Sequence, residues 1–187
     1  MSFSELGTSL IEHWPYWAVT LFLIVGAVID GVQLRVPNWL TFPMIVAGWI
    51  YSMAAFGWEG LGWSLVGTAV GLALLMPAYA IGGMGAGDVK MLAAVGAWVY
   101  GWTTFYAFCA STIVGAILAV GMVVVRGRVA KHYHQFKLIL SEIVTIRDPD
   151  QLSAIAAERK PRMMLLPYGI PIAMGTIGYF ALTGLLL

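Results

Sequence analysis

The chain has 187 residues, of which 60% are hydrophobic and only 10% are charged, and its net charge is +1. Soluble domains carry about 25% charged residues, so this composition excludes a surface covered by water and predicts an all-α, polytopic membrane protein. The single cysteine, Cys109, excludes a disulfide within the chain and a Cys-x-x-Cys metal site.

Apolar runs predict about six transmembrane helices in one domain that covers residues 1–187. The border between the fourth and fifth spans is placed at Tyr100-Gly101-Trp102, because glycine interrupts the apolar pattern there. In chain order, the predicted spans cover about 14–30, 39–57, 61–82, 88–100, 103–125 and 165–187.

All ten basic residues fall on one predicted side of the membrane. Arg35 lies between the first two spans, Lys90 opens the fourth, and the others lie between the fifth and sixth spans. Cytoplasmic loops are enriched in Lys and Arg, so this layout predicts cytoplasmic basic loops and two termini on the outer side.

One sizeable polar segment, about 126–163, lies between the fifth and sixth spans. Apolar residues at helical spacing and a helix-start pattern at Asp148-Pro149-Asp150-Gln151 predict two short amphipathic helices on the inner membrane face. An ordinary solvated connector is the alternative.

Two aspartates, Asp30 and Asp88, lie beside apolar runs on the predicted cytoplasmic side. A carboxylate next to a membrane span is costly and therefore marks a functional site. Two close carboxyl groups share a proton, so one can accept a proton from water while the other donates to a carbonyl oxygen. Asp30 and Asp88 are therefore predicted to form a catalytic pair for peptide hydrolysis that needs no metal and no cofactor.

Glycine residues precede the second aspartate in the sequence Gly85-Ala86-Gly87-Asp88. Glycine permits unusual dihedrals and close approach of another chain, which would leave room for an extended substrate beside the carboxylates. A hinge between two spans and close helix packing are the alternatives. Lys90 is either an anchor at the inner membrane face or a group that tunes the aspartate pair.

The loop after the first aspartate is explained by structural roles alone. Pro37 stops helix formation, and Asn38 is expected to cap the second span. Arg35 is expected to anchor the loop on the cytoplasmic side.

Three segments of the sequence resemble motifs of the bacterial type IV prepilin peptidases. Asp30 with Arg35-Val36-Pro37-Asn38-Trp39-Leu40-Thr41 is similar to their first aspartate motif. Their second aspartate motif is Gly-x-Gly-Asp with a trailing lysine, and the segment Gly85-Ala86-Gly87-Asp88-Val89-Lys90 resembles it. The segment Pro167-Tyr168-Gly169-Ile170-Pro171, before the last span, also resembles that family.

The resemblance implies an aspartic endopeptidase of the bacterial inner membrane, so the outer side predicted above for both termini would be the periplasm. It would remove the short basic leader of prepilins or pseudopilins at the cytoplasmic face, typically after a glycine. Asp30 and Asp88 would be the catalytic residues. Six further residues would support them as parts of the two motifs: Gly85, Gly87, Lys90, Arg35, Pro37 and Asn38.

Many full-length members of this family carry paired Cys-x-x-Cys motifs and also methylate the new pilin N-terminus. With one cysteine, this chain is similar to the short members of tight-adherence (Flp) pilus systems, so methyltransferase activity is expected to be absent. The expected partners are a prepilin or pseudopilin substrate and the lipid bilayer, without metal, cofactor or nucleic acid. Whether the chain acts alone or as a homodimer stays open.

Two other functions fit some of these features. A presenilin-like intramembrane protease would share the Gly-x-Gly-Asp motif and would cut inside a transmembrane segment. A small proton-coupled transporter would also need membrane aspartates, but transporter sites usually lie near the midplane between repeated halves.

Overall fold

The computed structural model describes residues 13–125, 137–139, 141–142, 144–146, 148–159 and 167–186, and over these ranges it has helices joined by turns, bends and irregular segments, with no strand. Within these described ranges, three helices are long and apolar enough to cross a membrane, which agrees with the predicted class. In chain order, the helices are α1 (Trp14–Gln33), α2 (Asn38–Ala80), α3 (Ala86–Val125), α4 (Pro149–Arg159) and α5 (Gly169–Leu182).

Helix α2 is interrupted near its middle and folds back on itself. Its 43 residues would extend about 65 Å if straight, about twice the thickness of a bilayer core. Gly57 breaks the helix with φ 64° and ψ −152°, a conformation that suits glycine. Trp49 Nε1 donates to Thr68 Oγ1 at 3.0 Å, so the two halves lie side by side.

Helix α3 has a similar interruption at Tyr100, with φ 63° and ψ 179°. Both interruptions fall at or next to the predicted borders between spans, where glycine breaks the apolar pattern. The predicted sixth span, 165–187, is too long. Helix α5 has 14 residues, because a proline lies just before it and Gly184 follows it with φ 72°.

Small residues bring the helices into close contact, as expected where apolar lipid gives no hydrophobic driving force between helices. The backbones of Gly67 and Gly96 touch, so a Cβ on either glycine would overlap the other helix. Gly175 on α5 lies in the same way against Ser111 on α3.

Contacts between distant residues define the two ends of the bundle. Trp14, Tyr51 and Trp98 pack together at one end, with ring centroids between 4.8 and 5.5 Å apart. The end of α1, the start of α3 and the start of α5 meet at the opposite end. The candidate site lies there.

Helix α4 begins at Pro149, as the helix-start pattern predicts, and Leu152 N donates to Asp148 O at 3.2 Å. The second predicted amphipathic helix is therefore confirmed as a helix, while its place on the membrane face stays a prediction. The first predicted amphipathic helix is helical at the residues that the structure describes, 137–139, 141–142 and 144–145. Residues 126–136 and 160–163 of the polar segment lie outside the described residues.

Candidate active site

Asp30 lies in the last turn of α1 and is only 3% exposed. Its Oδ2 accepts a hydrogen bond of 2.8 Å from the backbone N–H of Gly169, the first residue of α5. The helix ends soon afterwards, because Leu34 adopts a left-handed conformation with φ 54°. One carboxylate oxygen is therefore fixed by a donor from the opposite end of the sequence.

Asp88 is the third residue of α3 and is 7% exposed. Its Oδ2 lies 3.3 Å from the Gly85 N–H, which donates to it across the first turn. This is the reciprocal half of a capping box, in which an acidic side chain in the first turn reaches back to the N-cap. The positive end of the helix dipole also favours a negative charge at this position.

The two motifs that carry the aspartates pack directly on each other. A Cβ on Gly87 would lie 2.8 Å from both the backbone N and O of Val36. Gly87 therefore has the packing role that was the alternative for these glycines, because its backbone must approach the loop between α1 and α2. In contrast, a Cβ on Gly85 would meet the carboxylate of Asp88 at 3.2 Å.

A second link between the motifs runs through Lys90. Its Nζ donates to Asn38 Oδ1 at 2.8 Å and lies 5.0 Å from the centroid of the Phe42 ring. Lys90 thus fastens the start of α3 to the start of α2. The capping role expected of Asn38 is wrong, because Pro37 occupies the N-cap position and the Asn38 side chain accepts from Lys90 instead.

A cleft of about 540 Å³ opens between these two motifs. All six of the supporting residues line it together with Asp88, whereas Asp30 is not among its lining residues. A larger cavity of about 700 Å³ lies around Tyr100 and Trp102, at the other end of the bundle, and its lining is almost wholly apolar. The residues that line the first cleft are Leu34, Arg35, Val36, Pro37, Asn38, Trp39, Gly85, Ala86, Gly87, Asp88 and Lys90.

A third segment, Tyr168-Gly169, meets Asp30. Gly169 donates to the Asp30 carboxylate, and Tyr168 packs against Gly115 of α3. Sequence reasoning assigned no role to these two residues. Residues 30 and 169 are 139 positions apart, and the one available signal was the resemblance of the surrounding Pro-Tyr-Gly-Ile-Pro segment.

The arrangement puts two buried carboxyl groups at one end of a helical bundle, and each accepts a hydrogen bond from a backbone N–H. Over the part of the chain that the structure describes, no group of three His, Cys, Asp or Glu side chains could hold a metal ion. The chemistry available here is proton transfer between carboxyl groups, water and a bound substrate.

Comparison with known proteins gives consistent matches. A model of the type IV leader peptidase family matches residues 17–120, a range that includes both aspartates. The prepilin leader peptidase/N-methyltransferase of Aeromonas salmonicida (strain A449) is 32% identical over 129 residues, which cover 65% of this chain and 42% of that protein. The protein of the same name from Neisseria gonorrhoeae is 32% identical over 117 residues, which cover 59% of this chain and 41% of that protein.

The protein of the same name from Aeromonas hydrophila is 31% identical over 129 residues. This chain therefore spans less than half the length of the curated relatives that it matches. No solved structure matches it.

Proposed function

This chain belongs to the type IV leader peptidase family, and we propose that it is an aspartic endopeptidase that removes the basic leader of Flp-type prepilins or pseudopilins. The cut falls after a glycine at the cytoplasmic face of the inner membrane. The observation that carries this proposal is the pair of buried aspartates, Asp30 and Asp88, at the same end of the bundle, where Asp88 lines a cleft.

In the proposed reaction, Asp30 and Asp88 share one proton before the substrate binds. The ionised carboxylate takes a proton from water as the water oxygen bonds to the scissile carbonyl carbon, and the other carboxyl donates its proton to the carbonyl oxygen. The C–N bond of the resulting diol then breaks. Its amine leaves with the proton taken from water, and one hydroxyl proton returns to the second carboxylate.

The proposed topology has six spans, with both termini in the periplasm. The helix interruptions at Gly57 and Tyr100 support it, since each divides a long helix into two halves. The basic residues support a cytoplasmic site, because Arg35 and Lys90 line the cleft beside Asp88.

Cleavage without methylation is part of the same proposal. The 187 residues contain one cysteine and so cannot supply the paired Cys-x-x-Cys motifs associated with methyl transfer in full-length members of the family. The products of this chain are therefore expected to carry an unmodified N-terminal amine.

The proposal is tested by co-expressing this chain with Flp-type prepilins and following leader removal by a gel shift. Asp30→Asn and Asp88→Asn are expected to abolish the shift, since an amide can neither accept nor share the proton. Glu59→Gln is the matched control, because Glu59 is an exposed acid. Normal cleavage by either aspartate variant would refute the assigned pair, provided that all variants accumulate in the membrane to equal levels.

A further inference from the structure

We propose that Gly169, the first residue of α5, positions Asp30 and thereby sets the rate of the chemical step. This inference rests on the proposed function for its effect on rate. Its effect on the state of Asp30 can be measured without any substrate.

Gly169 acts on Asp30 by direct contact. Its N–H is one of the first amides of α5, which have no partner within the helix, and it donates to Asp30 Oδ2 at 2.8 Å. A Cβ at this position would lie 2.9 Å from Asp30 Oδ2 and 3.0 Å from Asp30 Cβ. Any side chain at residue 169 would therefore push the carboxylate away from the amide that holds it.

Tyr168, the residue before Gly169, anchors the start of α5 on α3. The Tyr168 ring packs on Gly115, where a Cβ would lie 3.4 Å from both Cε2 and the hydroxyl oxygen. The tyrosine is thus held against the second half of α3, which fixes the place where α5 begins.

Contacts further along α5 keep this dipeptide in place. Ser111 Oγ on α3 donates to Ile172 O at 3.3 Å, and Gly175 lies directly against Ser111. Helix α5 therefore cannot slide along α3 without breaking these contacts. A shift of the start of α5 would therefore move the Gly169 amide away from Asp30.

The kinetic test compares Gly169→Ala with Gly178→Ala on the same helix, where a new Cβ would have nothing within 4 Å. Gly169→Ala is expected to lower kcat for prepilin cleavage about 100-fold with little change in KM, because a misplaced reacting group slows chemistry more than binding. Gly178→Ala is expected to match the original protein. Equal kcat for Gly169→Ala and the original protein would overturn the inference.

Tyr168→Leu provides a second variant, which removes the ring that packs on Gly115 and adds no atom near Asp30. Loss of this contact frees the start of α5, so kcat is expected to fall about tenfold with little change in KM. If Gly169→Ala does not fold, this variant decides the question alone. An unchanged kcat for Tyr168→Leu would then overturn the inference.

The substrate-free test uses dicyclohexylcarbodiimide on the purified protein and locates the modified carboxyl groups by mass spectrometry. This reagent attacks the protonated acid, and a hydrogen bond from the Gly169 N–H favours the ionised form of Asp30. At one fixed pH, Gly169→Ala is expected to increase labelling of Asp30 severalfold, whereas Gly178→Ala is not. Unchanged labelling in Gly169→Ala contradicts the positioning role, while a lack of cleavage by the original protein contradicts only the proposed function.

Discussion

Gly87→Ala tests whether the two aspartate motifs depend on direct contact between their backbones. The new Cβ would lie 2.8 Å from Val36 N and O, about 0.6 Å inside the 3.4 Å at which ordinary contact begins. Val36 is 5% exposed and is followed by Pro37, whose φ is fixed, so the loop can yield little. Overpacking of this kind costs about 1–3 kcal/mol.

The expected result is a lower melting temperature in detergent, by roughly 2–4 °C for each kcal/mol in a chain of this length. Activity is expected to fall by about tenfold or more, because the start of α3 carries Asp88 and would move with Gly87. Gly121→Ala on the same helix is the control, since a Cβ there has nothing within 4 Å. Wild-type melting and cleavage in Gly87→Ala would show that the motifs do not need this contact.

Two further substitutions probe the frame around the site. Gly57→Ala is expected to cost about 1–3 kcal/mol, seen as a lower melting temperature, because φ 64° with ψ −152° is strained for any L side chain although the space is open. An unaffected melting temperature would contradict the sharp interruption in α2. Lys90→Met removes the donor to Asn38 and should cost about 1 kcal/mol by the same measurement; Lys90→Arg, which keeps a donor and a cation, should lose less.

Local signals in the sequence were enough to predict most of the helix layout. The interruption at Gly57 and the one at Tyr100 follow from glycines within otherwise continuous apolar runs. The start of α4 at Pro149 follows from the residue preferences of a helix N-terminus. The sixth span was predicted too long because hydropathy alone does not show where a helix ends.

The parts that could not be predicted depend on contacts between distant residues. The Lys90–Asn38 hydrogen bond joins residues 52 positions apart, and it draws Asn38 away from the cap that its local sequence suggests. The link between Gly169 and Asp30 depends on how α5 packs against α1. Nothing in the spacing of either segment specifies that packing.

The most direct test of the central claim is the intact mass of a Flp-type prepilin after incubation with the purified chain. We expect a loss equal to the leader up to and including a glycine, a product without an added methyl group, and no loss with Asp30→Asn or Asp88→Asn. A cut within the hydrophobic segment of the substrate, or an identical product from either aspartate variant, would contradict it.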